Sequence, residues 1–136
     1  MARSDQRLAI LYDGECGFCA WGVAWLLRFD RARQLRPVAI QSEEGARLLS
    51  ELSEAQRLAS WHARAEGGPV SSGGAALAPV LARLPMGGPL AAVARSLPRA
   101  SESVYRRIAA HRVGLGRLLS RASKERARAL IAARMH

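Results

Sequence analysis

The sequence predicts a small α/β domain, a mixed sheet flanked by helices, with a helical C-terminal extension. Three observations carry that prediction. Short apolar runs at 8–12 and 35–40 alternate with runs of helical spacing. Two further strand-like runs, 58–65 and 70–72, flank the turn Glu66-Gly67-Gly68-Pro69. Beyond Gly73 every segment is either helical in spacing or a Gly/Pro break. The order is β-α-β-α-β-β-α followed by helices: two strands around a helix, then a hairpin and a closing helix.

Each element has a local reason. Leu8-Ala9-Ile10-Leu11-Tyr12 is short, wholly apolar and ended by Asp13-Gly14, as a buried strand is. Residues 17–30 form a helix pattern, with Ala20, Val23, Ala24 and Leu27 on one face. Trp21 and Trp25, four apart, are expected to pack in the core beside them. In the second strand, 35–40, Pro37 points to a sheet edge. Ser42 is a natural N-cap followed by Glu43 and Glu44, and the helix it opens carries Ala46, Leu48, Leu49 and Leu52. Ser53-Glu54-Ala55-Gln56 is a capping-box sequence for a short helix. Residues 58–65 then alternate. Ala59, Trp61, Ala63 and Ala65 face one way; Ser60, His62 and Arg64 face the other. His62 reads as a plain surface histidine, with a proton relay as the alternative.

The remainder is helical. Ala75 to Leu84 carries the stripe Leu77, Val80, Leu81 and Leu84, and Pro85-Met86-Gly87-Gly88-Pro89 breaks it. Leu90 to Leu97 is a short helix ended by Pro98. Ser101 is expected to cap a helix reaching about Val113, with Val104, Ile108 and Ala109 inward. Gly114 and Gly116 are expected to interrupt it. A final helix, Arg117 to Met135, has Leu118, Leu119, Ala122, Leu130 and Ala133 as its apolar positions. The predicted division is 1–116 for the α/β domain and 117–136 for a basic helical extension.

Composition narrows the function classes. At 136 residues and 49% hydrophobic content, the chain suits one packed domain. No apolar run reaches the roughly 18 residues a membrane helix needs. The polar start, Met1 to Arg7, has no signal-peptide pattern, so a cytoplasmic protein is expected. The charge of +10 is unevenly placed. Residues 1–94 carry ten arginines against nine acids, whereas residues 95–136 carry eleven cationic side chains against Glu102 and Glu125. Such a segment attracts polyanions weakly, or is simply an arginine-rich solvated face.

The two cysteines are spaced C-x-x-C, in Tyr12-Asp13-Gly14-Glu15-Cys16-Gly17-Phe18-Cys19. Random placement would give that spacing roughly one time in 70. If the helix begins near Cys16, its unpartnered first-turn N–H groups and its dipole both favour a thiolate on Cys16. Cys19, three residues on and on the same face, is placed to attack a mixed disulfide formed at Cys16. Glu15 is a like charge beside it and opposes the effect. Competing readings are an inert buried pair, half of a zinc site and a structural disulfide. The chain has no second C-x-x-C and no H-x3-5-H to complete four zinc ligands.

The motif resembles the signature of the DCC family of thiol-disulfide oxidoreductases, named for one Asp and two Cys. Asp13, Cys16 and Cys19 match it. Val104-Tyr105-Arg106-Arg107-Ile108-Ala109-Ala110-His111-Arg112 resembles that family's C-terminal Tyr-Arg…Ile-Ala…Arg segment, and the resemblance runs over roughly residues 8 to 116. It implies a thioredoxin-like fold, mostly bacterial relatives, and catalysis by Cys16, Cys19 and Asp13. There is one departure. Thioredoxin-like enzymes usually carry a proline before the third strand; here the residues are Ala55-Gln56-Arg57-Leu58. Sequence support for a peptide-pairing platform is therefore missing.

The first functional reading is a thiol-disulfide oxidoreductase, with Cys16 attacking and Cys19 resolving. Asp13 either relays the Cys19 proton or caps the helix. The expected substrate is a disulfide-containing protein or a small thiol, with no cofactor and no resident metal. Oligomeric state does not follow from the pattern. The second reading is a binding module that docks on nucleic acid or an acidic partner through its basic tail. The third is a metal-binding protein using Cys16, Cys19 and partner-supplied ligands.

Overall fold

The computed structural model describes residues 7–134, Val113 by its backbone alone. The fold is mixed α/β and thioredoxin-like. Strand β1 (Leu8–Tyr12) leads into α1 (Gly17–Phe29), β2 (Leu35–Ala39), α2 (Glu43–Leu48) and α3 (Glu54–Ala59). The hairpin β3 (His62–Ala65) and β4 (Ser71–Ser72) follows, then a 3-10 turn (Gly73–Ala76) and α4 (Leu77–Arg83). Four more helices complete the chain: α5 (Gly88–Ser96), α6 (Pro98–Ala110), α7 (Arg112–Leu118) and α8 (Arg121–Arg134). The sheet order is β2-β1-β3-β4, with β1–β2 parallel and β1–β3 and β3–β4 antiparallel. Pro37 does lie on an edge strand, in register with Ile10 of β1.

All five residues of β1 are buried because both faces of the sheet are covered. Leu8, Ile10 and Tyr12 pack with Ala20, Val23 and Leu27 of α1, Val80 of α4 and Ile131 of α8. Ala9 and Leu11 pack on the opposite face with Val38, Ile40, Leu48 and Leu49. Each fully buried Leu or Ile in these layers contributes about 1.5–3 kcal/mol. The C-terminal helix α8 lies along α1 and buries Ala127 and Ile131.

Asp30, fully buried, ends α1 and starts β2. Its Oδ1 accepts from Gln34 N at 2.9 Å and its Oδ2 from Leu35 N at 2.8 Å. Arg134 of α8 donates to the Asp30 carbonyl at 3.3 Å and approaches Oδ2 at 3.9 Å. One carboxylate therefore ties the helix end, the strand start and the last helix.

Several expectations need correction. His62 is not a surface residue; it is 1% exposed. Its Nε2 donates to the Arg57 carbonyl at 2.9 Å, which leaves Nδ1 to accept from the Ser72 hydroxyl at 2.7 Å. Alternation had placed it on a solvent face, but α3 runs to Ala59 and covers that side. Trp21 and Trp25 lie outside both core clusters. They form a ladder, Phe18–Trp21–Trp25–Phe29, along the outer side of α1, with Trp25 41% exposed. Ser101 does not cap α6. Pro98 starts that helix, where its missing N–H is no loss, and buried Ser101 donates instead to Ala94 O of α5. Val104 and Ile108 are exposed and Ala109 is half-buried, because α6 turns Glu102 and Tyr105 toward Gly73-Gly74. The break after α6 falls at His111, and Gly114 and Gly116 lie within α7. The final helix is likewise split, at Leu119-Ser120. Its expected end at Met135 and the segment 1–6 lie outside the described residues.

Two outcomes follow. Asp30→Ala removes the side-chain acceptor of the buried Leu35 N–H and of the half-buried Gln34 N–H and should destabilise the fold by about 2–4 kcal/mol, measured by urea unfolding. Burial pushes the His62 pKa below its ordinary 6.5, against the opposing hydrogen bonds from the 56–57 backbone. The folded imidazole stays neutral where the unfolded one takes a proton. Stability is therefore present above pH 6.5 and is lost as the pH falls through the lowered folded value. In His62→Gln that acid-side slope should disappear from the unfolding curve.

Candidate active site

The site forms where β1 ends and α1 begins. The Asp13 carbonyl accepts the Cys16 N–H at 3.1 Å, closing a tight turn. Asp13 Oδ1 accepts from Glu15 N at 3.0 Å and from Gln41 Nε2 at 2.7 Å. The other end of the same amide, Gln41 Oε1, accepts from Gly14 N at 2.9 Å. Gln41 thus clamps the loop from the far side of β2. Arg128 of α8 donates to Gly14 O at 3.0 Å and holds it from the other side.

Cys16 is the N-cap of α1, and its Sγ accepts the Cys19 N–H at 3.3 Å. The sulfur stands where a Ser or Asp oxygen usually stands, on one of the helix's unpartnered donors. Asp13 lies one turn earlier and bonds within the loop rather than to the helix. Both cysteines are free thiols and half-buried. Burial, followed by the hydrogen bond and charge of Cys16, pushes the Cys19 pKa from about 9 to about 12, with Arg112 opposing. Cys19 is a thiol throughout the neutral range.

The two sulfurs face different surroundings. Cys19 borders an apolar cleft of about 250 Å³, walled by Leu26, Leu58, Trp61, Tyr105 and Ile108. Cys16 borders a separate hollow of about 310 Å³ containing Arg112, Arg117 and Lys124 together with Glu15. Asp13, Phe18 and Arg112 border both. The Lys124 stem packs against Gly17, where a Cβ would sit 3.1 Å from its Cδ.

Tyr105 closes the cleft. Its ring stacks on Trp61 at 6.2 Å and its hydroxyl accepts the Trp61 N–H at 2.9 Å. Burial raises the Tyr105 pKa, so the phenol keeps its proton. Two glycines let α6 come this near. Gly73 has φ +59, and a Cβ on Gly74 would lie 2.4 Å from Glu102 backbone atoms. Glu102 Oε2 then accepts from Gly74 N at 2.8 Å.

The family model described as DCC1-like thiol-disulfide oxidoreductase matches residues 10–118. The chain belongs to that family. A chloroplastic DCC family protein of Arabidopsis thaliana is 44% identical over 45 residues, which cover 33% of this chain and 26% of the relative. The chain thus matches about a quarter of the length of that curated relative. No solved structure matches the chain.

The family's two motif segments meet at the site. Asp13, Cys16 and Cys19 come from the first. Tyr105, Ile108, Ala109 and Arg112 come from the second and line the Cys19 cleft. Sequence reasoning had given Tyr105 and Arg112 no role, although the C-terminal resemblance marked both. Gln41, Trp61 and Lys124 carried no signal of their own. His62 lies at neither hollow. Among the described residues, no group of three or more His, Cys, Asp or Glu is placed to hold a metal ion, and no helix is long and apolar enough to cross a membrane.

The Cys19 thiol also sets a prediction. In the unfolded chain it ionises near pH 9, whereas in the fold it keeps its proton to about 12. The unfolded state therefore binds fewer protons in that window, and stability falls as pH rises from about 9. Cys19→Ser should lose less stability across that window under reducing conditions, read by denaturant unfolding at successive pH values.

Proposed function

We propose that the protein is a dithiol–disulfide oxidoreductase acting on a disulfide-containing protein or small-thiol substrate, with Cys16 attacking and Cys19 resolving. The observation that carries this reading is the asymmetry of the pair. Cys16 sits at the open start of α1 and takes an N–H hydrogen bond, while Cys19 lies a turn deeper with its proton held.

The electron count follows. The Cys16 thiolate attacks one sulfur of the substrate disulfide. A Cys16–substrate bond forms, the substrate S–S bond breaks, and one thiolate leaves. Cys19 then gives up its proton, with the neighbouring Asp13 carboxylate as acceptor through a water. Its sulfur attacks Cys16 Sγ and expels the second thiolate. Two electrons pass from the dithiol to the substrate, which becomes two thiols, and the protein keeps a Cys16–Cys19 disulfide. Mixing with Cys16 in the attacking step removes two of the causes that hold the Cys19 proton, namely the Cys16 hydrogen bond and charge. Resolution is thereby favoured only after attack.

The test uses single cysteine variants. Cys16→Ser should lose turnover by at least about 1,000-fold and form no adduct. Cys19→Ser should attack and stall, accumulating a mixed disulfide visible by intact mass. Adducts on Cys16→Ser and none on Cys19→Ser would reverse the assignment. Unreactive thiols in the native parent protein would overturn the function.

A further inference from the structure

We propose that the Cys16 hollow selects small anionic disulfides, with the cations of α7 and α8 as the recognition groups. The inference rests on the dithiol reading above and names its substrate class. Three observations converge on it.

The first is placement. Arg112, Arg117 and Lys124 belong to the strongly basic C-terminal part of the chain, yet they line one hollow with the attacking sulfur. That part of the chain is folded back over the redox turn, and Arg128 reaches Gly14 O beside it.

The second is availability. Among the described residues, none of Arg112, Arg117 and Lys124 makes a salt bridge, whereas Arg106 and Arg121 pair with Glu102 and Glu125. Two acids share the hollow. Asp13 Oδ1 accepts from Glu15 N and Gln41, neutral donors that leave its charge in the hollow. Glu15 is exposed and pairs with none of the three cations. An incoming carboxylate finds three cations without partners around a nucleophilic sulfur.

The third concerns size. An extended peptide needs free backbone groups beside the dithiol, and the Trp61 backbone offers none. Its N–H is taken by Tyr105, and its carbonyl accepts from Gly73 N at 3.1 Å and Ser60 Oγ at 3.0 Å. The charged hollow beside Cys16, about 310 Å³, is of a size for a small molecule.

The reaction is a single exchange. Reduced protein and one anionic disulfide give oxidised protein and two anionic thiols, with no other reactant. The experiment mixes the reduced full-length protein under single-turnover conditions with three probes: oxidised glutathione (anionic), bis(2-hydroxyethyl) disulfide (neutral) and cystamine (dicationic). The anionic probe should oxidise the protein at least about tenfold faster than cystamine at low salt. High salt should shrink that ratio toward one. In Arg117→Gln/Lys124→Gln the ratio of anionic to neutral rates should fall by about tenfold. Single Arg117→Gln keeps the test open if the double variant fails to fold, and Arg95→Gln/Arg99→Gln, which removes equal charge outside the hollow, should leave the ratio unchanged. Equal rates for all three probes would overturn the inference and leave the dithiol reading standing. A disulfide-bonded polypeptide reacting faster than oxidised glutathione would overturn it as well. No reaction with any disulfide would overturn both.

Discussion

The N-terminal cap of α1 is the constraint on which the rest depends. A helix start must satisfy its free N–H groups, and here one of them is given to a sulfur. The same bond holds the Cys16 side chain over the first turn, at the Cys19 N–H. Burial is the main reason Cys19 keeps its proton, and the nearby Cys16 sulfur adds to it. A serine at this position would cap at least as well, so helix stability alone does not call for sulfur here.

That cap is supported by everything that holds α1 in place. One face of the helix is buried on the sheet through Ala20, Val23 and Leu27, and α8 lies along it. Its far end is pinned by Asp30, which also holds the start of β2 and meets Arg134. The loop before it is held from two sides, by Gln41 and by Arg128. In the proposed attack, a sulfur held in this way would lose little entropy. The clamps are local bonds to loop backbone and carboxylate, so they position the turn without contributing to the core.

Much of this was legible in the sequence, for reasons that differ by region. Strand β1 read correctly because five consecutive apolar residues followed by Asp-Gly have few other uses. The capping box at Ser53 and Gln56 and the cap at Ser42 also appear as read, since these signals are complete within four residues. His62 failed because period-two alternation says which residues share a face, not whether a helix covers it. Ser101 failed because Pro98 is the stronger start signal. Trp21 and Trp25 failed because four-residue spacing fixes a face but not its exposure. At the site, Asp13, Cys16 and Cys19 were within one motif and easy to find. Gln41 and Arg128 lie 28 and 114 residues from their partners in the loop, and no local pattern predicts such contacts.

The basic C-terminal part and the C-x-x-C motif looked like separate features, one for docking and one for chemistry. Folding brings them together, and that changes the meaning of the charge. In the proposed reaction, cations around Cys16 draw an anionic substrate and steady the anionic leaving thiol through the same field. The apolar cleft on the other side does the opposite for Cys19, since burial penalises its thiolate. Arg112 borders both hollows and is the one cation that acts on each sulfur's surroundings. The helix start thus divides charged from apolar space within a single turn. In the proposed cycle, attack takes place on the charged side, where Arg112, Arg117 and Lys124 stand around Cys16. In the same proposed cycle, resolution takes place on the apolar side, where burial keeps Cys19 protonated until Cys16 has reacted.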